Sequence, residues 1–227
     1  MNAEPNRRLM TSDSKTMPVN RRVLRWSAVV AAAGFLFSFG MLGDTPDTRD
    51  SSERIATYFV DHSTSVFVGL VGMTVGVCAL LVFGSSLAQH FGTTGEGVAS
   101  RVAQSASTII AALIVATMAV VYAALAYVVG AEAPASAKGL FELTLVGTPV
   151  VAAPISLLCA TTAWVVLRGT HRRWFGWLSV ALAIVLAVGA MSFATKGLFS
   201  PDVQQQVVFE SFIAWLITTG IVLGRRP

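Results

Sequence analysis

Glu210 is an ionisable residue in an otherwise apolar stretch of the sequence. It is the only carboxylate inside the long apolar runs of the chain, and it lies in the run 207–223. A carboxylate among apolar residues is costly to bury and is often retained because it binds a cation or a proton. It lies about one turn from the end of its run. Two interpretations stay open: the side chain reaches out of the run and pairs with Lys196, or it faces an ion or ligand site.

Asp61 and His62 form the second candidate site. A histidine beside a carboxylate can sense pH or bind a metal ion. Zinc needs three or four ligands at workable spacing, however, and the histidines at 90 and 171 are expected on the opposite side of the protein. We therefore predict no metal and no cofactor, and we keep Glu210, Asp61 and His62 as a candidate ligand or ion site.

The sequence carries no recognisable catalytic motif. It has no G-x-S-x-G nucleophile motif, no H-E-x-x-H zinc motif and no phosphate-binding loop. Cys78 and Cys159 both fall inside apolar runs, so we expect them to pack as small hydrophobic residues. These observations name no catalytic residue and favour a protein that is not an enzyme.

The elements that carry the candidate residues are apolar runs of the length that crosses a bilayer. Hydrophobic residues make up 54% of the 227 positions and charged residues only 12%, whereas soluble domains carry about 25% charged residues. Hydrocarbon accepts only a backbone that is hydrogen-bonded within a helix or a closed barrel, and these runs lack the alternation of barrel strands. We therefore predict an all-α polytopic membrane protein with six transmembrane helices in one bundle. The predicted spans are 24–41, 66–87, 106–129, 143–167, 174–193 and 207–223.

The chain is expected to hold one folded domain. Residues 1–22 are polar and predict a disordered cytoplasmic tail, and residues 23–227 form the six-helix domain. The true start stays open among Met1, Met10 and Met17. The first span lacks a small-residue cleavage site at its end, so we expect an uncleaved anchor.

Basic residues predict that both termini lie in the cytoplasm. With that orientation, twelve Lys and Arg lie on the inner side and four on the outer side, as the positive-inside rule requires. The net charge of +4 then reflects membrane topology rather than nucleic-acid binding. The excess of Arg over Lys is typical of GC-rich bacteria, so we expect a bacterial plasma membrane and contact with its lipid bilayer.

The longest polar interruption, residues 43–65, predicts a short amphipathic outer helix between the first two spans. Apolar, aromatic and His residues recur at helical spacing, and Asp50 or Ser51 can cap the helix. The helix either lies at the outer interface or folds back over the mouth of the bundle. Its surface between Glu53 and His62 is a candidate site for a protein partner. The residues that share one face are Ile55, Tyr58, Phe59 and His62.

Glycines and prolines predict how two of the spans pack. Gly72 and Gly76 form a G-x-x-x-G pattern that allows close approach of another helix, and we favour packing within the bundle over a dimer face. Pro149 and Pro154 each remove a backbone donor, so we expect the fourth span to kink or break in its outer half.

The outer loop has the sequence SSERIATYFVDH at residues 51–62. In this stretch a helix follows an acidic turn and ends in an aromatic residue, an acidic residue and His before the second span. This loop and the general layout resemble a broad set of uncharacterised six-span actinobacterial membrane proteins, a family with a domain of unknown function. The resemblance implies a membrane location and the six-span fold.

Three functions are compatible with these observations. The leading hypothesis is an accessory or interaction protein of the membrane that uses the outer helix. The alternative is a small transporter or ligand-binding membrane protein with a site near Glu210 and the kinked fourth span. An intramembrane enzyme acting on lipid is the third, which the missing catalytic motifs disfavour.

Overall fold

A computed structural model describes residues 20–43, 45–47, 49–129, 132–169, 172–191 and 201–224, with side chains left undescribed at 129 and 201–205. Nearly all of the predicted N-terminal tail lies outside these ranges. Throughout the described residues the regular structure is helical. The α-helices are α1 (Arg21–Leu42), α2 (Ser52–Asp61), α3 (Ser63–Thr93), α4 (Gly97–Ile114), α5 (Val120–Ala124), α6 (Ala137–Arg168), α7 (Arg173–Ala190) and α8 (Pro201–Gly224).

The predicted fold class is confirmed. Six helices within the described ranges are long and apolar enough to cross a membrane, and they form one bundle. The third span is the most irregular, because two π-helical segments, Val115–Ala119 and Leu125–Val129, flank the short helix α5. A 3₁₀ turn, Pro134–Ser136, precedes α6.

Glycine allows α1 and α3 to approach to backbone contact. A Cβ placed on Gly34 of α1 would lie 2.7 Å from the Gly76 nitrogen and 2.8 Å from the Gly72 oxygen of α3. A Cβ on Gly72 would in turn lie 2.6 Å from the Phe37 ring. Gly72 and Gly76 therefore pack within the bundle against α1, as small residues do at close membrane-helix crossings.

The antiparallel helices α1 and α8 are closest at one end only. A Cβ on Gly220 would lie 2.6 Å from Cβ of Ala28, and one on Gly224 would lie 2.9 Å from Cβ of Arg25. At the other end, large rings separate the helices: the centroids of Phe39 and Phe209 lie 5.3 Å apart. The seam between α1 and α8 thus carries small residues near the start of α1 and large residues near its end.

Hydrogen bonds between side chains and neighbouring helices join α6, α7 and α8. The Ser156 hydroxyl of α6 donates to the Ala183 carbonyl of α7 over 2.7 Å. The buried indole N–H of Trp215 in α8 donates to the Ser179 hydroxyl of α7 over 3.1 Å. Both bonds satisfy polar groups that hydrocarbon would leave without partners.

The fourth span, α6, runs unbroken from Ala137 to Arg168 through both prolines. Pro149 is buried and Pro154 is half-buried. Because proline lacks an N–H, the carbonyls of residues 145 and 150 lose their usual partner four positions later. Despite these lost bonds, the helix is continuous, so the expected break is not observed. A bend of the helix stays a prediction.

The outer helix α2 folds back over the bundle. The Ser51 hydroxyl accepts the Arg54 N–H over 3.3 Å, which makes Ser51 the N-cap. Ile55 and Phe59 are fully buried, and the Phe59 ring packs 5.6 Å from that of Tyr122 in the third span. The apolar face of α2 therefore covers protein and does not lie in lipid, which decides between the two arrangements that its pattern allows.

Polar bonds fix α2 at both of its ends. At its start, the Ser52 hydroxyl donates to the Ala135 carbonyl over 3.0 Å and accepts the Lys138 N–H over 3.2 Å. At its other end, the Tyr58 hydroxyl donates to the carbonyl of Leu42, the last residue of α1. The outer helix is thus tied both to α6 and to α1.

Candidate functional site

A cavity of about 530 Å³ lies where the C-terminal end of α1 meets α8. Its walls come from α1, α5, α8 and the loop that follows α1. Most of the lining side chains are apolar, and Glu210 is the only charged group among the described residues that line it. The lining residues are Leu36, Phe39, Leu42, Gly43, Thr45, Tyr122, Gln206, Phe209, Glu210 and Ile213.

Glu210 lies near the level of the last turn of α1. The ring pair of Phe39 and Phe209 fixes this register, since Glu210 follows Phe209 directly. Its side chain is exposed, and its Oε1 accepts a hydrogen bond from the Gln206 amide over 2.9 Å. A carboxylate has about four acceptor positions on two oxygens, so one amide donor leaves acceptor capacity for a ligand.

The apolar wall connects the cavity to the outer surface of the bundle. Leu36 is 54% exposed and lies on the surface of α1 that neighbouring helices leave uncovered. Phe39 and Ile213 stand deeper. The apolar lining therefore extends from the buried Ile213 to the exposed surface of α1, and the polar lining continues into the loop that follows α1.

Tyr122 connects this cavity to the outer helix. It is buried, lines the cavity and contacts Phe59 of α2 with its ring. The short helix α5 that carries it stands between the two π-helical segments, which are common near functional sites. A ligand in the cavity would thus touch a residue that also supports α2.

A second, smaller cavity of about 350 Å³ shares Thr45 with the first. It is bordered by Asp47 and Asp50 of the outer loop and by Arg54 of α2. Arg54 forms an ion pair with Asp50 at 3.0 Å, while Asp47 holds the turn by accepting the Arg49 N–H. Two carboxylates and one guanidinium therefore line this smaller cavity beside Thr45.

Asp61 and His62 do not join Glu210. Both are exposed at the C-terminal end of α2, and neither lines the cavity beside Glu210. The His62 ring stacks on Tyr58 with centroids 4.5 Å apart, and its Nδ1 lies 2.9 Å from the Tyr58 carbonyl oxygen. His62 is thus occupied with the end of its own helix.

The prolines of the fourth span are also separate from Glu210. Neither Pro149 nor Pro154 lines the cavity, to which α6 contributes no described residue. The pairing of Glu210 with Lys196 concerns a residue outside the described ranges. Across the residues that the structure describes, no group of three or more His, Cys, Asp or Glu could hold a metal ion.

A groove of about 540 Å³ near the other end of the bundle offers a comparison. Its carboxylate, Glu96, accepts a hydrogen bond from Arg168 at 3.0 Å, and the Arg168 guanidinium lies 4.0 Å from the Trp164 ring centroid. The charges in this groove are neutralised by each other. In the cavity beside Glu210, none of the described lining residues is basic.

The sequence matches no protein-family model, no curated protein and no solved structure. The geometry of this chain is therefore the basis for its proposed function.

Three polar lining residues were not singled out from the sequence. Gln206 lies four positions before Glu210, a helical spacing that indicates a side-chain contact. Thr45 and Tyr122 carry no such signal, because their place beside Glu210 depends on how three separate segments pack.

Proposed function

We propose that this chain is an integral membrane protein of the bacterial plasma membrane that binds a small amphiphilic molecule in the cavity beside Glu210. The observation that carries the proposal is one cavity that combines a carboxylate with an apolar lining that reaches the exposed surface of α1 at Leu36. An amphiphile needs both kinds of surface.

The size and composition of the cavity support this function. Its volume of about 530 Å³ falls within the roughly 300–1,000 Å³ of small-molecule sites, which are mostly apolar with a few placed polar groups. Glu210 and Gln206 supply the polar groups at one end. Leu36, Phe39 and Ile213 supply the apolar surface.

Both termini are proposed to lie in the cytoplasm, which puts the cavity in the outer leaflet. The support is the distribution of Lys and Arg, twelve against four across the expected sides. Cysteine placed at Glu53 in α2 should react with a membrane-impermeant maleimide in intact cells. Cysteine placed at Thr94, between α3 and α4, should react only after the cells are opened, and the reverse pattern would contradict this orientation.

Amphiphile binding can be tested by blocking the cavity. Trp at Leu36 adds bulk to a wall residue that is 54% exposed, so folding should tolerate it. Leu143→Trp is the matched control, because Leu143 is 51% exposed on α6 and does not line the cavity. The probe is dodecanol with a photoreactive diazirine in its tail, added to the protein in lipid nanodiscs.

We expect strong labelling of the wild type and of Leu143→Trp, with labelled peptides from α1 and α8. Leu36→Trp should lose most of that labelling. Equal labelling of all three proteins would mean that the probe binds the general lipid-facing surface, and the proposed function would then be wrong.

A second candidate function is that of an accessory protein that binds a partner through α2. The supporting observation is that hydrogen bonds hold α2 at both of its ends while Glu53, Thr57, Val60 and Asp61 are exposed. A buried Phe59 cannot contact a partner, so the photo-crosslinker belongs at Val60. One defined protein captured from Val60, and none from Thr94, would support this function; identical capture from both would remove it.

A further inference from the structure

We propose that the ligand of the Glu210 cavity is an amphiphile with a primary ammonium head and an alkyl or acyl tail, which enters from the outer leaflet between α1 and α8. This inference rests on the proposed function and adds the chemical class of the ligand and its route. Three features of the structure support it: the charge of the cavity, the charge of its mouth and the shape of the seam between α1 and α8.

The charge of the cavity favours a cationic head. Glu210 is the single charged group among the described lining residues, and its one described partner is the neutral amide of Gln206. An ammonium group carries up to three donors and can bond the remaining acceptor positions of the carboxylate. Such charge-assisted bonds are roughly twice as strong as bonds between neutral groups.

The mouth disfavours an anionic head. The outer loop brings Asp47 and Asp50 to the cavity that shares Thr45 with the Glu210 cavity. The one basic residue there, Arg54, pairs with Asp50 at 3.0 Å. The lining of that cavity holds two carboxylates and one guanidinium, a balance that favours a cation over a phosphate or carboxylate head.

The shape of the seam accounts for the tail. Near the start of α1 the seam is closed by Gly220 and Gly224, and near its end it is held apart by the rings of Phe39 and Phe209. A ligand tail that contacts Leu36 would start at Glu210 and lie between α1 and α8, in the part of the seam where the rings of Phe39 and Phe209 hold the two helices apart. In this position the charged head lies at the depth of lipid headgroups and the tail at the depth of lipid tails. The ligand can therefore move sideways from the leaflet into the cavity without carrying its charge across hydrocarbon.

The experiment compares heads on one tail. Photoreactive dodecylammonium, dodecanol and dodecyl phosphate are added separately to the protein in nanodiscs at pH 7.5. The proteins are the wild type, Glu210→Gln and Glu142→Gln. Glu142 is the matched control, because it is an exposed carboxylate at the expected outer end of α6 that does not line the cavity.

For the wild type and for Glu142→Gln, we expect dodecylammonium to label α1 and α8 at roughly tenfold lower concentration than dodecanol, which is about the effect of one charge-assisted bond. Dodecyl phosphate should label least. For Glu210→Gln the advantage of dodecylammonium over dodecanol should disappear, while labelling by dodecanol persists.

The outcomes separate this inference from the proposed function. Equal labelling by ammonium and alcohol in the wild type, lost in Leu36→Trp, would overturn the cationic head and leave amphiphile binding standing. Labelling by none of the probes would overturn both. An ammonium preference that survives Glu210→Gln would also overturn the inference, because the charge would then act from elsewhere.

The ammonium can belong to a lipid headgroup or to a free alkyl amine. Nanodiscs of phosphatidylethanolamine and of phosphatidylglycerol distinguish these sources. If phosphatidylethanolamine suppresses labelling by dodecylammonium and phosphatidylglycerol does not, the ligand is a lipid with an ammonium head. If neither lipid suppresses labelling, the ligand is a free amine.

Discussion

Replacing Gly34 by alanine tests whether the glycines of α1 and α3 serve packing within one chain. The new methyl group would point at backbone, with the Gly76 nitrogen 2.7 Å away and the Gly72 oxygen 2.8 Å away. Ordinary contact begins near 3.4 Å. Backbone cannot rotate away as a side chain can, so α1 and α3 must separate by about 0.7 Å to accept the methyl group.

The same helix contains a matched control. Gly40 lies six residues further along α1, is exposed, and has nothing within 4 Å of an added Cβ. Both substitutions gain the same helix propensity, about 0.5–1 kcal/mol. The difference between them is therefore the cost of overpacking, about 1–3 kcal/mol. We expect Gly34→Ala to have the lower free energy of unfolding by that amount.

The assay is reversible unfolding in mixed micelles of increasing SDS fraction, followed by circular dichroism for both variants and the wild type. Equal free energies of unfolding for Gly34→Ala and Gly40→Ala would refute the packing argument. The oligomeric state is measured on the same samples. If Gly34→Ala dissociated a dimer and left the monomer as stable as the wild type, the glycines would form an interface between chains instead.

Three further changes test the outer helix and the contact between α7 and α8. Phe59→Ala should lower the free energy of unfolding by about 3–5 kcal/mol because the ring is fully buried. The neighbouring control, Val60→Ala, should lower it by less than about 0.5 kcal/mol, and similar costs for the two variants would contradict the orientation of α2. Ser52→Ala removes both hydrogen bonds to the start of α6. Amide hydrogen exchange should therefore become faster in α2 and stay unchanged in the spans. Unchanged exchange in α2 would show that these bonds do not hold the helix in place. Ser179→Ala leaves the buried indole N–H of Trp215 without its acceptor and should cost about 0.6–2 kcal/mol in the micelle assay, with no loss if the indole finds another partner.

The membrane spans could be predicted because their signal is local. Hydrocarbon requires about 20 apolar residues with an internally bonded backbone, and each such run is visible without knowing its neighbours. The outer helix is readable for a similar reason, since Ser51 and the spacing of Ile55 and Phe59 lie within one short segment. What the pattern could not decide was whether lipid or protein covers that apolar face, because both present the same kind of surface to Ile55 and Phe59.

The irregular third span had no local signal. Residues 115–129 contain no glycine or proline that would indicate a π-helical turn. Thr117 lies within the first of these segments, and a Cβ on Gly147 of α6 would come 2.7 Å from its side chain. The position of the π-helical segment therefore depends on its contact with α6, a helix that follows later in the sequence. The pattern of the third span alone contains no sign of that contact.

The cavity is a consequence of side-chain sizes on two helices that are distant in sequence. Glu210 was recognisable from its type alone, but the sequence does not show that Phe39 faces Phe209 while Gly220 faces Ala28. That arrangement joins the helices firmly at one end and separates them at the other. Because the glycine contact fixes the helices, the volume beside Glu210 depends on the side chains between them. A larger residue at Leu36 should therefore fill the cavity without moving α1 and α8, and this is why one substitution there can separate ligand binding from folding.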